Sequence, residues 1–156
     1  MAKKLQAEIQ QKAPFSSIEQ EVYLNLLRTG DAISQRVEKL LNASGLSGTQ
    51  YNVLRILRGA GSQGLTCGET GERMVTHDPD ITRLLDRLEK RKLITRARGT
   101  SDRRVVTTKI TREGLRLLKS LDQPVAELHR KLFRHVPRQE LRKLSSLLEQ
   151  VRSPEG

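Results

Sequence analysis

Apolar positions recur at helical spacing along most of the chain, and turn residues between the runs mark where each helix ends. Ile18, Val22, Leu26, Ile33, Val37, Leu40 and Leu41 keep one period and predict a long amphipathic helix. Overlapping capping pairs, Ser16 with Glu19 and Ser17 with Gln20, open it; Asn42-Ala43-Ser44-Gly45 stops it. It is too long for one small core to cover, and such helices near a terminus often pack on a partner subunit. Ser47 with Gln50 caps a second helix carrying Val53, Leu54, Ile56 and Leu57, which ends at Gly59-Ala60-Gly61. Thr66-Cys67-Gly68-Glu69 opens a short third helix through Met74. Gly68 and Gly71 each disfavour it by about 1 kcal/mol relative to Ala, so packing must hold it. The polar residues 1–15, broken at Pro14, read as a loose arm or a short extra helix.

The stretch Val75–Arg91 organises the rest. Its sequence predicts Asp78 as N-cap, Pro79 at the first helical position and Asp80 beside the positive end of the helix dipole. Ile81, Leu84, Leu85 and Leu88 then form one apolar stripe, and Thr82, Arg83, Asp86, Arg87 and Lys90 fall on the other face. Two short helices across a tight turn, the second basic, make a helix-turn-helix pattern. Such a helix suits the DNA major groove, and its charge also fits an ordinary solvated surface.

After Lys92 the period changes. Leu93–Arg98 reads as a strand with basic residues outward, Gly99-Thr100-Ser101-Asp102 as a turn, and Arg103–Ile110 as the returning strand. A hairpin directly behind a helix-turn-helix is the arrangement of a winged helix. Its tip gathers Arg98, Asp102, Arg103 and Arg104. Thr111 caps another long helix with Leu115, Leu118, Leu121, Val125, Leu128 and Leu132 on one side, which Pro124 should kink or end locally. Val136-Pro137 begins a last helix through Leu141, Leu144, Leu147, Leu148 and Val151, stopped at Ser153-Pro154. The fold class expected is mainly α with a small β-hairpin wing, in a single domain over residues 1–156.

Charge sharpens the functional side. Lys and Arg number 29 against 18 Asp and Glu, a formal net charge of +11, which points to a polyanionic partner: nucleic acid first, an anionic membrane surface second. Aromatic residues make up 3%, with no Trp, too few for the base-stacking platforms of single-strand and RNA binders; duplex DNA read by helices is favoured. One cysteine, Cys67, excludes an internal disulfide framework and fits a reducing compartment. No apolar run approaches a membrane span and the first residues carry no signal-peptide core, so a soluble, cytoplasmic protein without a membrane role is expected.

The runs Asp80–Ile94, Asp102-Arg103-Arg104-Val105-Val106 and Thr111-Arg112-Glu113-Gly114, together with the helix order over roughly residues 17–152, resemble the MarR family of bacterial transcription regulators. The resemblance implies a homodimeric winged helix-turn-helix regulator reading a palindromic operator in double-stranded DNA. Residues 47–110 would be the DNA-binding lobe; 16–45 and 111–152 would be the helical dimerisation region. It implies that Thr82 and Arg83 meet bases or phosphates, that Arg104 reaches the minor groove, and that Asp102 braces the wing by pairing with nearby basic groups. Arg87, Arg98 and Arg103 complete the expected DNA-binding set. Many members of the family respond to small phenolic or other aromatic acids, and some to oxidants or metals. A repressor released by such an effector is the function implied. A protein-interaction winged helix and a non-specific architectural DNA binder remain the alternatives.

Other chemistries find less support. Cys67 has no cationic sequence neighbour to lower its pKa, and its position differs from that of oxidant-sensing members, whose cysteine lies near the first helix. His129 and His135, six apart, point to different helix faces, so no metal site is expected. Tyr23, Tyr51 and Phe133 suit a core as well as a ligand pocket. No phosphate-cradling loop, H-E-x-x-H or Ser/His/Asp set appears, so neither catalytic residues nor a cofactor are expected.

Overall fold

Side-chain caps fix where the helices begin in the computed structural model, which describes residues 4–153. Helix α2 (Ile18–Asn42) starts at Ser17, whose hydroxyl accepts the Gln20 N–H at 3.1 Å. The Gln20 carboxamide oxygen accepts the Ser16 N–H at 2.7 Å and the Ser16 hydroxyl at 3.0 Å. The expected Ser16–Glu19 pair is therefore replaced, because Gln20 serves both serines. The reciprocal boxes of α3 (Gly48–Ala60) and α4 (Cys67–Arg73) form in full, Ser47 with Gln50 and Thr66 with Glu69. The Thr66 N–H and hydroxyl hydrogen bonds hold the Glu69 carboxyl below the usual carboxylate range.

The arm expected at the N-terminus includes a short helix, α1 (Lys4–Glu8), with Leu5 buried. Helix α5 (Ile81–Lys90) follows α4, and α6 (Arg112–Phe133) and α7 (Arg138–Arg152) close the chain. Pro154, part of the expected stop, lies outside the described residues. Pro124 does not end α6. Both Pro124 and Ser120 are exposed, so the Ser120 carbonyl that loses its i+4 donor is on the wet side, where water can satisfy it.

Three strands make an antiparallel sheet in the order β1-β3-β2: β1 (Leu65–Thr66), β2 (Ile94–Arg98) and β3 (Val106–Ile110). The hairpin pairs Ile94 with Ile110 and Arg98 with Val106. The returning strand begins three residues later than its sequence suggests. Asp102 takes the Arg104 N–H on its side chain at 3.0 Å and the Val105 N–H on its carbonyl at 3.2 Å, and these turn bonds displace ladder pairing. β1 was not expected, since two residues show no alternation.

The core gathers around α3. Val53, Leu54 and Leu57 are fully buried with Leu41 and Leu46 before them, Leu85 and Leu88 of α5, Ile94 of β2 and Leu118 of α6. The stripe on α5 therefore faces inward, and burying its leucines contributes about 2 kcal/mol each. Helix α6 approaches the wing root closely. A Cβ on Gly114 would collide with the Leu93 carbonyl oxygen, while Thr111 donates its hydroxyl to the Lys92 carbonyl at 2.7 Å. Helix α7 is different: none of its residues is buried. Among the described residues no helix is long and apolar enough to cross a membrane.

Candidate DNA-binding surface

The face of α5 opposite its apolar stripe carries Thr82, Arg83, Arg87 and Lys90, all exposed. The helix begins two residues later than the sequence suggests. Asp80, not Asp78, is the N-cap, accepting the Arg83 N–H at 3.1 Å. Asp78 instead takes the Asp80 N–H at 2.8 Å, a local turn that sets the chain direction before the cap. Pro79 consequently precedes the helix. Both carboxylates near the helix start are thus occupied by backbone donors. Below, a Cβ on Gly71 would stand 2.6 Å from Ile81 Cδ1, so the glycine that weakens α4 as a helix lets α5 pack close to it.

Several arginines are already engaged within the fold. Arg91 donates to the carbonyls of Gly45 at 2.7 Å and Ser44 at 3.0 Å, tying the end of α5 to the turn between α2 and α3. Arg96 of β2, expected among outward basic residues, folds back instead. Its Nη2 donates to Glu89 Oε1 at 2.9 Å and also to Asp86. The hydrogen bond from Arg96 holds the Glu89 carboxyl below its ordinary range, and the two acids raise the Arg96 guanidinium. Sequence reasoning missed this clamp. Its only signal was the pair Asp86 and Glu89, three apart on α5, followed by a strand arginine.

At the wing tip, Arg98 Nη1 donates to the Arg103 carbonyl at 2.9 Å, and Gly99 N–H to the Val105 carbonyl at 2.8 Å. Asp102 holds the backbone N–H of Arg104 and, at 3.3 Å, its Nε. That pair is wet, with the Arg104 side chain 92% exposed, so it orients the side chain loosely. Arg103 is exposed and makes no ion pair among the described residues. The expected contact residues thus form two groups. Thr82, Arg83 and Arg87 share the outer face of α5; Arg98, Arg103 and Arg104, with Asp102, share the tip.

Away from this surface, a cavity of about 680 Å³ opens between α2, α3 and α6. Ile33, Val37, Tyr51 and Ile56 supply apolar wall; Arg55 and His129 supply polar groups. The Arg55 guanidinium lies over the Tyr51 ring, 6.0 Å from its centre. Of the three aromatics considered from the sequence, Tyr51 is in both core and cavity wall, Tyr23 is exposed and Phe133 half-buried.

A helix-turn-helix whose second helix presents free cations, followed by a hairpin that completes a three-stranded sheet and carries a basic tip, defines a winged-helix DNA-binding protein. The comparisons agree. A sequence model described as the MarR family matches residues 46–106. The crystal structure of a MarR transcription factor from Planctomyces limnophilus is 40% identical, with a TM-score of 0.69 over 88% of this chain and 99% of that one. A cysteine-to-serine mutant of MarR from E. coli, complexed with operator DNA, is 26% identical, with a TM-score of 0.72 over 88% of this chain and 100% of that one. CouR from Rhodococcus jostii RHA1, bound to p-coumaroyl-CoA, is 26% identical, with a TM-score of 0.74 over 91% and 99%. The chain belongs to the MarR family: it is a DNA-binding transcription regulator and not an enzyme.

Proposed function

We propose that the protein is a homodimeric, cytoplasmic repressor that binds a palindromic operator and is released by a small aromatic or phenolic acid. The observation that carries the DNA reading is the division of the arginines. Arg91 and Arg96 are held within the fold, whereas Arg83, Arg87, Arg103 and Arg104 project outward from α5 and the tip. Thr82, Arg83 and Arg87 would read the major groove, where an Arg fork matches guanine O6 and N7. Arg103 and Arg104 would follow the minor groove or its phosphates. Arg98 keeps N–H groups beyond the one given to Arg103, available to a phosphate.

The dimer reading rests on apolar surface without a partner. Ile18, Tyr23 and Leu27 of α2 and Leu144, Leu147 and Val151 of α7 are all exposed. Residues 16–45 and 111–152 would then form the dimerisation region and 47–110 the DNA-binding lobe. The effector reading rests on the cavity: apolar walls accept a ring, and Arg55 provides a cation for a carboxylate. Filling it would shift the dimer toward a spacing of α5 helices that no longer fits successive grooves.

Selection of random duplexes by the purified protein at near-physiological salt tests the proposal. Enrichment of a palindrome with half-sites about one helical turn apart is the expected result. Binding without enrichment would make the protein an architectural binder; no binding, with or without added aromatic acids, would favour a protein-interaction module.

A further inference from the structure

The cavity shares a wall with the segment that leads into α5. Val75 and Thr76 line it, and Asp80, the N-cap of α5, follows within five residues. Asn52, on α3, lines the same cavity, and its Oδ1 accepts the Val75 N–H at 2.8 Å. Among the described residues this is the only hydrogen bond that ties residues 75–79 to another element. The segment is otherwise held weakly. Thr76, His77 and Pro79 are exposed, Val75 is 86% exposed, and the Asp78 bond to Asp80 is internal to the turn.

We propose that Asn52 is the positioning residue through which occupation of the cavity reaches the recognition helix. The inference rests on the effector reading above and gives it a route. In this structure the Asn52 carboxamide oxygen fixes Val75 and hence the start of α5. A ligand whose polar group competes for that carboxamide, or whose ring displaces Val75 and Thr76, breaks this one tie and frees the turn. Coupling is reciprocal: a segment held in place by DNA keeps Asn52 engaged and weakens the ligand. An aromatic acid with a donor able to meet Asn52 Oδ1 while its carboxylate meets Arg55 suits the site best.

The test needs no ligand. Asn52→Leu keeps the shape and removes the acceptor; Asn52→Asp keeps an acceptor; Ser34→Trp, from the α2 wall, fills the cavity with an indole. Operator affinity and the exchange rate of the Val75 amide are measured for each, with circular dichroism as the folding check. Asn52→Leu and Ser34→Trp should each weaken operator binding by about tenfold, as for one lost hydrogen bond. Each should also speed Val75 exchange while leaving Leu88 protected. The double variant should be no weaker than the worse single, because both act on one latch. Asn52→Asp should stay within about twofold of the parent. Additive losses, a Val75 amide still protected in Ser34→Trp, or an Asn52→Asp variant as weak as Asn52→Leu would overturn the proposal. A separate screen in which no aromatic acid releases DNA would fail the effector reading, while these variants would still decide the latch.

Discussion

Arg96 Nη2 lies 2.9 Å from Glu89 Oε1, so the first strand of the wing is held to the recognition helix by one guanidinium that also engages Asp86. The clamp does two things at once. It fixes the angle between α5 and the hairpin, and it neutralises two carboxylates on the helix expected to approach phosphates. Arg96→Ala should therefore weaken operator binding by about tenfold or more, with a stability loss of only about 1 kcal/mol because both acids remain partly exposed. Adding Asp86→Asn and Glu89→Gln separates the roles. Recovery of affinity in a fluorescence-anisotropy titration would assign the loss to charge; continued loss would assign it to geometry.

The same pair gives a pH dependence. Glu89 has its folded pKa lowered, chiefly by the Arg96 hydrogen bond. A lowered acid binds fewer protons folded than unfolded, so its contribution is complete above the ordinary glutamate range and is lost as pH falls through the folded value. Thermal melting of the parent and of Glu89→Gln should differ near neutrality, and the difference should shrink as the pH falls through the lowered folded value of Glu89, beneath the usual carboxylate range. A constant difference across that window would show that Glu89 stabilises by packing.

At the tip, Arg104→Ala should cut operator affinity by about ten- to a hundredfold while leaving circular dichroism native. Asp102→Ala should cost less, because it removes the acceptor for the Arg104 backbone N–H but leaves the cation. An Arg104→Ala variant with parental affinity would take that side chain out of the contact set.

Two glycines should respond oppositely to alanine. Gly68 has open space where a Cβ would stand, so Gly68→Ala should stabilise by about 0.5–1 kcal/mol. Gly114 faces the Leu93 carbonyl oxygen, and Gly114→Ala should destabilise by about 2 kcal/mol as α6 is forced from the wing root. Urea denaturation of both variants reads the two signs directly.

Leu147 lies on α7, a helix with no buried residue. Leu147→Asp should leave the fold of the lobe intact and shift sedimentation toward the monomer, with operator affinity falling alongside. A variant that sediments as the parent does would place the dimer contact elsewhere.

Helices and caps were legible because their causes are local. Ser47 with Gln50 and Thr66 with Glu69 lie three residues apart, and a side chain at that spacing can reach only its own helix start. The apolar stripe of α5 was equally readable, since periodicity encodes which side turns inward. Errors arose where two local solutions compete. Asp78 and Asp80 are both good caps, and the turn between them decided which one serves. Arg103 and Arg104 are compatible with a strand, but Asp102 drew their segment into the tip.

The sequence by itself determined the order of the main helices and the hairpin, the basic character and the places of the helix-turn-helix and wing, because each follows from spacing within a dozen residues; the short strand β1 was not among them. Only the tertiary structure decided which arginines are free. Arg96 and Arg91 look as available in the sequence as Arg83 and Arg87, yet their partners lie on other elements, Glu89 on α5 and the carbonyls of Ser44 and Gly45. The tie between Asn52 and Val75, 23 residues apart, was likewise invisible. A hydrogen bond between distant segments depends on how their helices pack, and no local pattern encodes that.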